Sequence, residues 1–386
     1  MYDRILDVQD IIHKKSIFLF GPRSTGKTTL LRNQFNSDAI INLLRSKTLL
    51  TLSENPSRIR EMVTAIGQTG NVIVIDEIQK LPELLDEVHD LIETTSLRFI
   101  LTGSSRRKLK RSGVNLLAGR AWQSNLFPLV SAEIPDFSLD RYLLYGGLPQ
   151  VYGSDYPVEE LDAYIDTYLR EEVKQEALVQ NFVHFSRFLN IASTVNTEQL
   201  NYANVSRDTG VPVTSVRAYF EILTDTFVGF MLEPWRASHR RKAIATSKFY
   251  FFDVGVANYL KGVESISERS SEFGIAFEHF IAMELRSYLS YRRIKKKLMY
   301  WRTKTGYEVD FLVGTEAAIE VKSSEKITDK HLKGLRALAE EDVYDKLIIV
   351  SCDEVERQTD DGITVIHWKS FLGKLWNDTL LTVSRR

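Results

Sequence analysis

The chain has 386 residues, 44% apolar and 26% charged, with a net charge of −1 and a single cysteine, Cys352. That length exceeds what one hydrophobic core serves, so two or three domains are expected, and the composition excludes a disordered chain. No apolar run approaches the ~18 residues of a membrane span. The near-zero charge leaves nucleic acid open as a partner, because local patches decide that contact.

The first predicted strand is Ile17-Phe18-Leu19-Phe20, and it feeds Gly21-Pro22-Arg23-Ser24-Thr25-Gly26-Lys27-Thr28. This stretch fits the G-x-x-x-x-G-K-[ST] pattern at every fixed position, and Thr29-Leu30-Leu31 opens a helix behind it. Strand, glycine-rich loop and helix N-terminus together form a cradle for phosphate, with backbone N–H groups facing the anion. ATP is the expected ligand across Gly21 to Thr29, with Lys27 on the β- and γ-phosphates and the Thr28 hydroxyl on Mg²⁺. Further predicted elements are a strand over Ala39–Leu43, a polar helix near Arg58–Thr69 and a strand over Val72–Ile75. The last of these ends in Asp76-Glu77. In a P-loop NTPase, Asp76 would hold Mg²⁺ through water and Glu77 would polarise the attacking water. The strand Arg98–Thr102 runs into Gly103-Ser104-Ser105, where Ser104 first and Thr102 second are candidates to sense the γ-phosphate. Alternatively, Ser104 caps the following helix. Arg120, before a predicted strand at Trp122–Leu129, is a candidate arginine finger toward a neighbouring copy in a homo-oligomer, or else a solvated helix-end cation. The strand-helix alternation up to residue 135 predicts a parallel α/β sheet.

Gly21–Thr28, Val72–Glu77 with Ile78-Gln79-Lys80-Leu81-Pro82, Leu101-Thr102-Gly103-Ser104 and Tyr145-Gly146-Gly147-Leu148-Pro149 together resemble a large prokaryotic family of AAA-type ATPases. The resemblance spans nearly the whole chain. It implies an AAA+ core over 1–135 and leaves the substrate open.

Residues 136–182, including Leu161–Val179, read as a helical lid, in which Arg170 is available as a second arginine sensor, while Glu171 and Glu172 beside it fit a solvated face equally well. From 183 to 250 the pattern predicts a winged helix. Val205–Thr209, the Gly210-Val211-Pro212 turn, and Ser215–Leu223 with Thr214 as N-cap form a helix-turn-helix. Arg217 on the second helix is offset by Glu221 and Asp225, which repel phosphates. Two strands, Phe227–Leu232 and Phe249–Phe252, flank the basic tip Arg236-Ala237-Ser238-His239-Arg240-Arg241-Lys242. Such a tip either meets a DNA backbone or keeps the hairpin soluble. Arg106-Arg107-Lys108, Arg292-Arg293 and Lys295-Lys296-Lys297 are further basic runs. Nucleic acid, DNA favoured, is the expected partner.

Residues 251–386 carry a second constellation. Tyr300–Thr303, Tyr307–Val313 and Ala317–Lys322 predict a β-meander. Period-two geometry gathers Asp310, Glu320 and Lys322 on its polar face, with Val309 and Phe311 sharing the opposite one. Asp followed by Glu-x-Lys on adjoining strands resembles the PD-(D/E)XK core of restriction-endonuclease-like enzymes, although Val309 stands where that core often has proline. The resemblance implies a metal held by Asp310, Glu320 and Glu278, the last on the helix Phe273–Leu289, with Glu284 as second candidate. Lys322 would stabilise the hydroxide or the developing phosphorane charge. A cross-strand Glu–Lys ion pair is the alternative. The N-terminal Met1-Tyr2-Asp3-Arg4 lacks a charged-then-apolar leader pattern, so a reducing cytoplasm is the expected setting.

Overall fold

The computed structural model describes residues 2–35, 39–67, 71–107, 109, 117, 119–166, 182–238 and 240–382. After α1 (Val8–Ile12), five strands form one parallel sheet: β1 (Ser16–Phe20), β2 (Ile40–Asn42), β3 (Val72–Asp76), β4 (Arg98–Gly103) and β5 (Ala121–Asn125). Their order is β2-β3-β4-β1-β5. Side chains of a strand alternate between faces, and both faces are apolar here. Ile17 and Leu19 pack with Leu30 and Leu31 of α2 (Lys27–Gln34). Phe18 and Phe20 face the other way, into a core with Leu52 of α3 (Ser46–Glu54), Ile59 of α4 (Arg58–Gly67) and Leu84 of α5 (Leu84–Thr94). Because β4 is inserted between β1 and β3, the ends of all three strands meet at one sheet edge.

Three helices follow: α6 (Leu139–Tyr145), α7 (Pro149–Tyr152) and α8 (Pro157–Ala163). Most of the expected lid helix beyond them, Arg170 included, lies outside the described residues. The Gly-Gly-Leu-Pro signature makes a packing joint. A Cβ on Gly146 would lie 2.0 Å from the Asp253 carboxylate, which accepts the Gly147 N–H at 2.8 Å. Asp253 also caps α12 (Val254–Lys261), accepting from the Val256 N–H.

Between these elements run α9 (Phe182–Thr194), α10 (Tyr202–Thr209) and α11 (Val213–Asp225), the last two forming the expected helix-turn-helix. The N-cap of α11 is Pro212, so Thr214 sits inside the helix. Proline pre-sets the backbone at a helix entry without needing a side-chain oxygen. The hairpin β6 (Gly229–Pro234) and β7 (Lys248–Phe251) then joins the C-terminal half. There it meets α13 (Ser271–Tyr291), β8 (Leu298–Arg302), β9 (Glu308–Val313), β10 (Ala317–Lys322), α14 (Asp329–Ala339), β11 (Lys346–Ser351), β12 (Arg357–Gln358), β13 (Ile363–His367) and α15 (Trp368–Trp376).

These strands make one mixed sheet in the order β12-β13-β11-β10-β9-β8-β6-β7. The β6–β7 hairpin, expected as a wing, is thus an extension of the C-terminal sheet, and a boundary at 250/251 falls inside β7. The meander departs from strict alternation: Val309 and Leu312 pack with α14, whereas Phe311 and Val313 pack with α13. A register irregularity in the neighbouring β8, between Met299 and Trp301, accompanies this slip. Phe277, Phe280, Ile281 and Leu285 of α13 are fully buried in a core that also holds Ile17 and Leu19 of the first sheet. One helix therefore ties both halves together.

Candidate nucleotide site and carboxylate pocket

The loop after β1 wraps the N-terminus of α2, whose N-cap is Gly26. The Gly21 backbone approaches the segment after β5 so closely that a Cβ there would lie 2.2 Å from the Leu126 carbonyl oxygen. Lys27 is buried, and its Nζ donates to the carbonyls of Gly21 and Pro22, both at 2.8 Å. Thr25 Oγ1 donates to the Pro22 carbonyl at 2.9 Å. These bonds hold the loop curled around the start of α2.

Asp76 is the centre of the site. Its Oδ2 accepts from Thr28 Oγ1 and Asn42 Nδ2, both at 3.1 Å, and its Oδ1 accepts from Thr102 Oγ1 at 2.5 Å. The two expected magnesium anchors, Thr28 and Asp76, therefore already touch. Thr102 also accepts the Glu77 N–H at 3.0 Å and stays inside the strand network, while Ser104 faces the same edge. Glu77 adopts a left-handed backbone with φ of 65°, which is uncommon for a non-glycine residue and turns the chain sharply off the strand. Gln79 Nε2 donates to Glu77 Oε2 at 2.5 Å and to Ser104 Oγ at 3.1 Å, so one amide links the expected base with the expected sensor. Beside the loop lies a cleft of about 660 Å³ lined by Tyr2, Arg4, Gly26, Thr29, Pro149 and Gln150.

Arg120 lies away from this site. It precedes β5, at the sheet edge opposite the loop, and forms an ion pair with Glu93. Arg106, by contrast, stands near the loop edge, its guanidinium over the rings of Phe20 and Phe227 and bonded to Asn125 at 3.3 Å. Arg106 is half-buried against these rings, which leaves only part of it for an exposed basic track.

A second polar site lies in the C-terminal half, in a pocket of about 350 Å³. Glu278 on α13, Asp310 on β9 and Lys322 on β10 line it, with buried Glu320 beside them. Glu320 Oε1 accepts from Lys322 Nζ at 2.5 Å, while its Oε2 is buried with no hydrogen-bond partner. Asp310 Oδ2 accepts the Val321 N–H at 2.8 Å. Burial pushes Glu278 up to about 7, with Lys248 opposing and Asp310 adding to the shift. Burial and then the charge of Asp310 hold Glu320 well above the usual carboxylate range.

Sequence reasoning missed Lys248. This residue of β7 is 4% exposed, and its Nζ stands 2.8 Å from Glu308, 3.0 Å from Glu278 and 3.8 Å from Asp310. Tyr250 OH donates to Glu278 at 2.6 Å, and Arg302 pairs with Glu308 at 3.0 Å. Among the described residues, no group of three or more His, Cys, Asp or Glu is arranged to hold a metal ion. The expected set of Glu278, Asp310 and Glu320 thus does not fit a metal as it stands, since an ammonium lies among the acids. Glu284 is elsewhere: it accepts the Ser131 N–H and Trp376 Nε1, both at 2.6 Å, and so joins the two halves of the molecule.

The basic hairpin tip is partly engaged. Arg241 donates to the Ala337 carbonyl and to Glu340 at the end of α14, and the Arg240 N–H and Ser238 hydroxyl reach Glu341. Lys108 and His239 of the expected basic runs lie outside the described residues.

Residues 13–134 match a family model described as an AAA domain. Residues 136–267 and 273–371 match two domains of unknown function, DUF8612 and DUF4143. The chain is 27% identical over 319 residues to the uncharacterized protein Rv2008c of Mycobacterium tuberculosis, covering 79% of this chain and 70% of the relative. It is 23% identical to the uncharacterized protein MJ1637 of Methanocaldococcus jannaschii, over 93% of this chain and 85% of the relative. A solved structure of the Aeropyrum pernix ORC1 protein in complex with DNA aligns with a TM-score of 0.26 and 11% identity, over 64% of this chain and 86% of that one. A score that low does not describe a shared overall arrangement. The N-terminal module is similar to AAA-type ATPase domains over residues 13–134. Among the described residues no helix is long and apolar enough to cross a membrane.

Proposed function

We propose that the chain binds and hydrolyses Mg-ATP at Gly21–Thr28 and uses nucleotide state to control a nucleic-acid-associated C-terminal half whose PD-(D/E)XK-like pocket does not cut. The observation that carries the ATPase reading is the convergence of Thr28, Asn42 and Thr102 on Asp76 at the mouth of the loop. Thr28 and Asp76 would hold Mg²⁺, which would supply positive charge to offset the β- and γ-phosphates. Lys27 turns from its loop carbonyls to those phosphates. Glu77 orients and polarises the attacking water, and Gln79 couples its position to Ser104. The cleft between Tyr2 and Pro149 takes the nucleoside. Arg120, remote from its own loop, is left a role only in a neighbouring copy's site.

DNA is the favoured partner because a helix-turn-helix and its hairpin, with Arg236, Arg240 and Lys242 exposed, stand on one module. The non-cutting reading rests on Lys248. A second reading, metal-dependent cleavage, draws on the gathering of Asp310, Glu320 and Lys322 and on the unpartnered Glu320 Oε2.

Isothermal titration and phosphate release test the first part. Lys27→Ala should lose ATP binding, whereas Glu77→Gln should bind Mg-ATP and hydrolyse it roughly 10²–10⁴-fold more slowly, as expected for loss of a general base. Unchanged hydrolysis by Glu77→Gln removes Glu77 from that role. Cleavage of duplex, flapped or single-stranded DNA or of RNA by the wild type in Mg²⁺, abolished in Asp310→Ala, would install the nuclease reading instead.

A further inference from the structure

The carboxylate pocket belongs to the C-terminal half, yet its most central cation arrives from elsewhere. Lys248 stands on the β6–β7 hairpin, within the segment matched as 136–267, while Glu278, Glu308 and Asp310 stand within 273–371. We propose that Lys248 is the resident cation of this pocket, that the native protein therefore takes no divalent metal there, and that removing this one ammonium converts the pocket into a divalent-cation site built on the acids that hold it, Glu278, Glu308 and Asp310. The inference rests on the non-cutting reading above and explains it.

Three observations support the assignment. First, the geometry is that of a coordinated cation: three acids, one from α13 and two from β9, lie within 3.8 Å of one buried nitrogen. A divalent ion entering the same acids would sit against that ammonium, and two cations at such a distance repel strongly in a buried site. Second, the lysine's main chain is held at the mouth of the pocket on both sides. Its strand pairs with β6 through Leu232, and the residues on either side of it are held by the Leu200 N–H to Ser247 and by the Phe249 N–H to Glu198. Third, the pocket keeps unspent acceptor capacity, because Glu320 Oε2 is buried without a partner. A buried carboxylate oxygen with no donor is costly unless a proton or a cation satisfies it. With the ammonium gone, several buried acids would lack a counter-charge. Binding a divalent ion relieves that, and the long side chains of Glu278 and Glu308 can close from ammonium distances to the shorter metal–oxygen distances.

The test counts bound Mn²⁺ by electron paramagnetic resonance on the full chain without nucleotide. Wild type should bind no stoichiometric Mn²⁺ in the millimolar range. Lys248→Met should bind one ion per chain, and Lys248→Met combined with Asp310→Asn should lose it. Near-UV circular dichroism verifies the fold, with Lys248→Gln as the replacement if Lys248→Met does not fold. Wild-type binding that Asp310→Asn removes overturns the proposal, as does a folded Lys248 variant that binds nothing. If neither variant folds, the wild-type arm alone decides. Cleavage is scored separately: a wild type that cuts while this pocket binds no Mn²⁺ overturns the non-cutting reading and leaves Lys248 as the resident cation.

Discussion

The two polar sites of this molecule solve opposite problems. The nucleotide loop is built from backbone and lines an open cleft, and its one lysine is parked on two carbonyls of its own loop. These two carbonyl partners are neutral, so at these two bonds an arriving phosphate displaces dipoles. The C-terminal pocket is built from side chains, and its lysines are held by carboxylates. A ligand there competes against full charges in a buried setting, where removing one partner is costly. The same residue type rests on backbone carbonyls in one site and on carboxylates in the other.

The sites are also joined. Arg4 donates to the Thr25 carbonyl of the loop at 2.6 Å and to the Phe127 carbonyl at 2.7 Å, and it reaches Tyr291 at the end of α13 at 3.2 Å. Its ion pair with Glu133, at 2.9 Å, is almost wholly out of solvent. The same helix carries Glu278. The largest effect on the link is therefore expected from Arg4→Ala, which strands a buried carboxylate and should lower stability by about 3–5 kcal/mol. Urea denaturation measures that, and ATP titration should show weaker binding alongside it. A variant as stable as wild type would mean that the two sites merely share a core.

What was legible from sequence follows the same division. Gly21–Thr28, Asp76 and Glu77 lie in two short segments whose chemistry depends on local backbone, and the structure brings them together. Asp310, Glu320 and Lys322 were legible as a meander with fixed spacing, and Glu278 as the acid beside an apolar helical stripe. Lys248 was invisible because a lone lysine opening a strand carries no local signal, and its partners come from α13 and β9. Gln79, Asn42 and Arg4 were missed for the same reason. Glu284 was misplaced as a metal candidate because helical periodicity does not say which turn of α13 meets which sheet. The equivalence of Val309 and Phe311 failed because strict alternation does not survive an irregular register.

A pH experiment sharpens the reason Lys248 stays in place. His279 of α13 is fully buried. Its Nε2 bonds the Phe251 carbonyl at 2.7 Å and its Nδ1 meets Asn196 Nδ2 at 3.1 Å, pinning β7 to the helix. Burial, helped by the charge of Arg286, pushes His279 down to about 4. Between about pH 6.5 and 4 the unfolded chain therefore binds the extra proton, so stability is lost as pH falls through that window, by up to about 3 kcal/mol. Glu278 and Glu284, each raised by burial to about 7, act in the opposite sense, binding protons in the fold first. The difference between wild type and His279→Gln isolates the histidine: the wild-type advantage should shrink from pH 6.5 to 4. A difference that does not vary with pH would sever His279 from this role.

The smallest effect concerns the hairpin whose second strand delivers Lys248, and it asks whether the tip is held by carboxylates as the pocket's lysines are or is open to phosphate. Arg241 is spent, since it caps the carbonyl end of α14 and pairs with Glu340, where a cation is favoured by the helix dipole. Arg236, Arg240 and Lys242 are exposed. If the tip follows a DNA backbone, only these three contribute, and replacing them by Ala should flatten the slope of log affinity against log salt by up to ~2.7. Arg241→Ala should leave that slope alone and cost at most about 1 kcal/mol of stability, as a partly exposed pair does. Fluorescence anisotropy on duplex DNA over a salt series separates the outcomes. A slope that falls with Arg241→Ala would show the docked arginine leaving α14 for phosphate. A slope unmoved by all four substitutions would make the tip a solvated turn, with Lys248 as the hairpin's contribution to the C-terminal half.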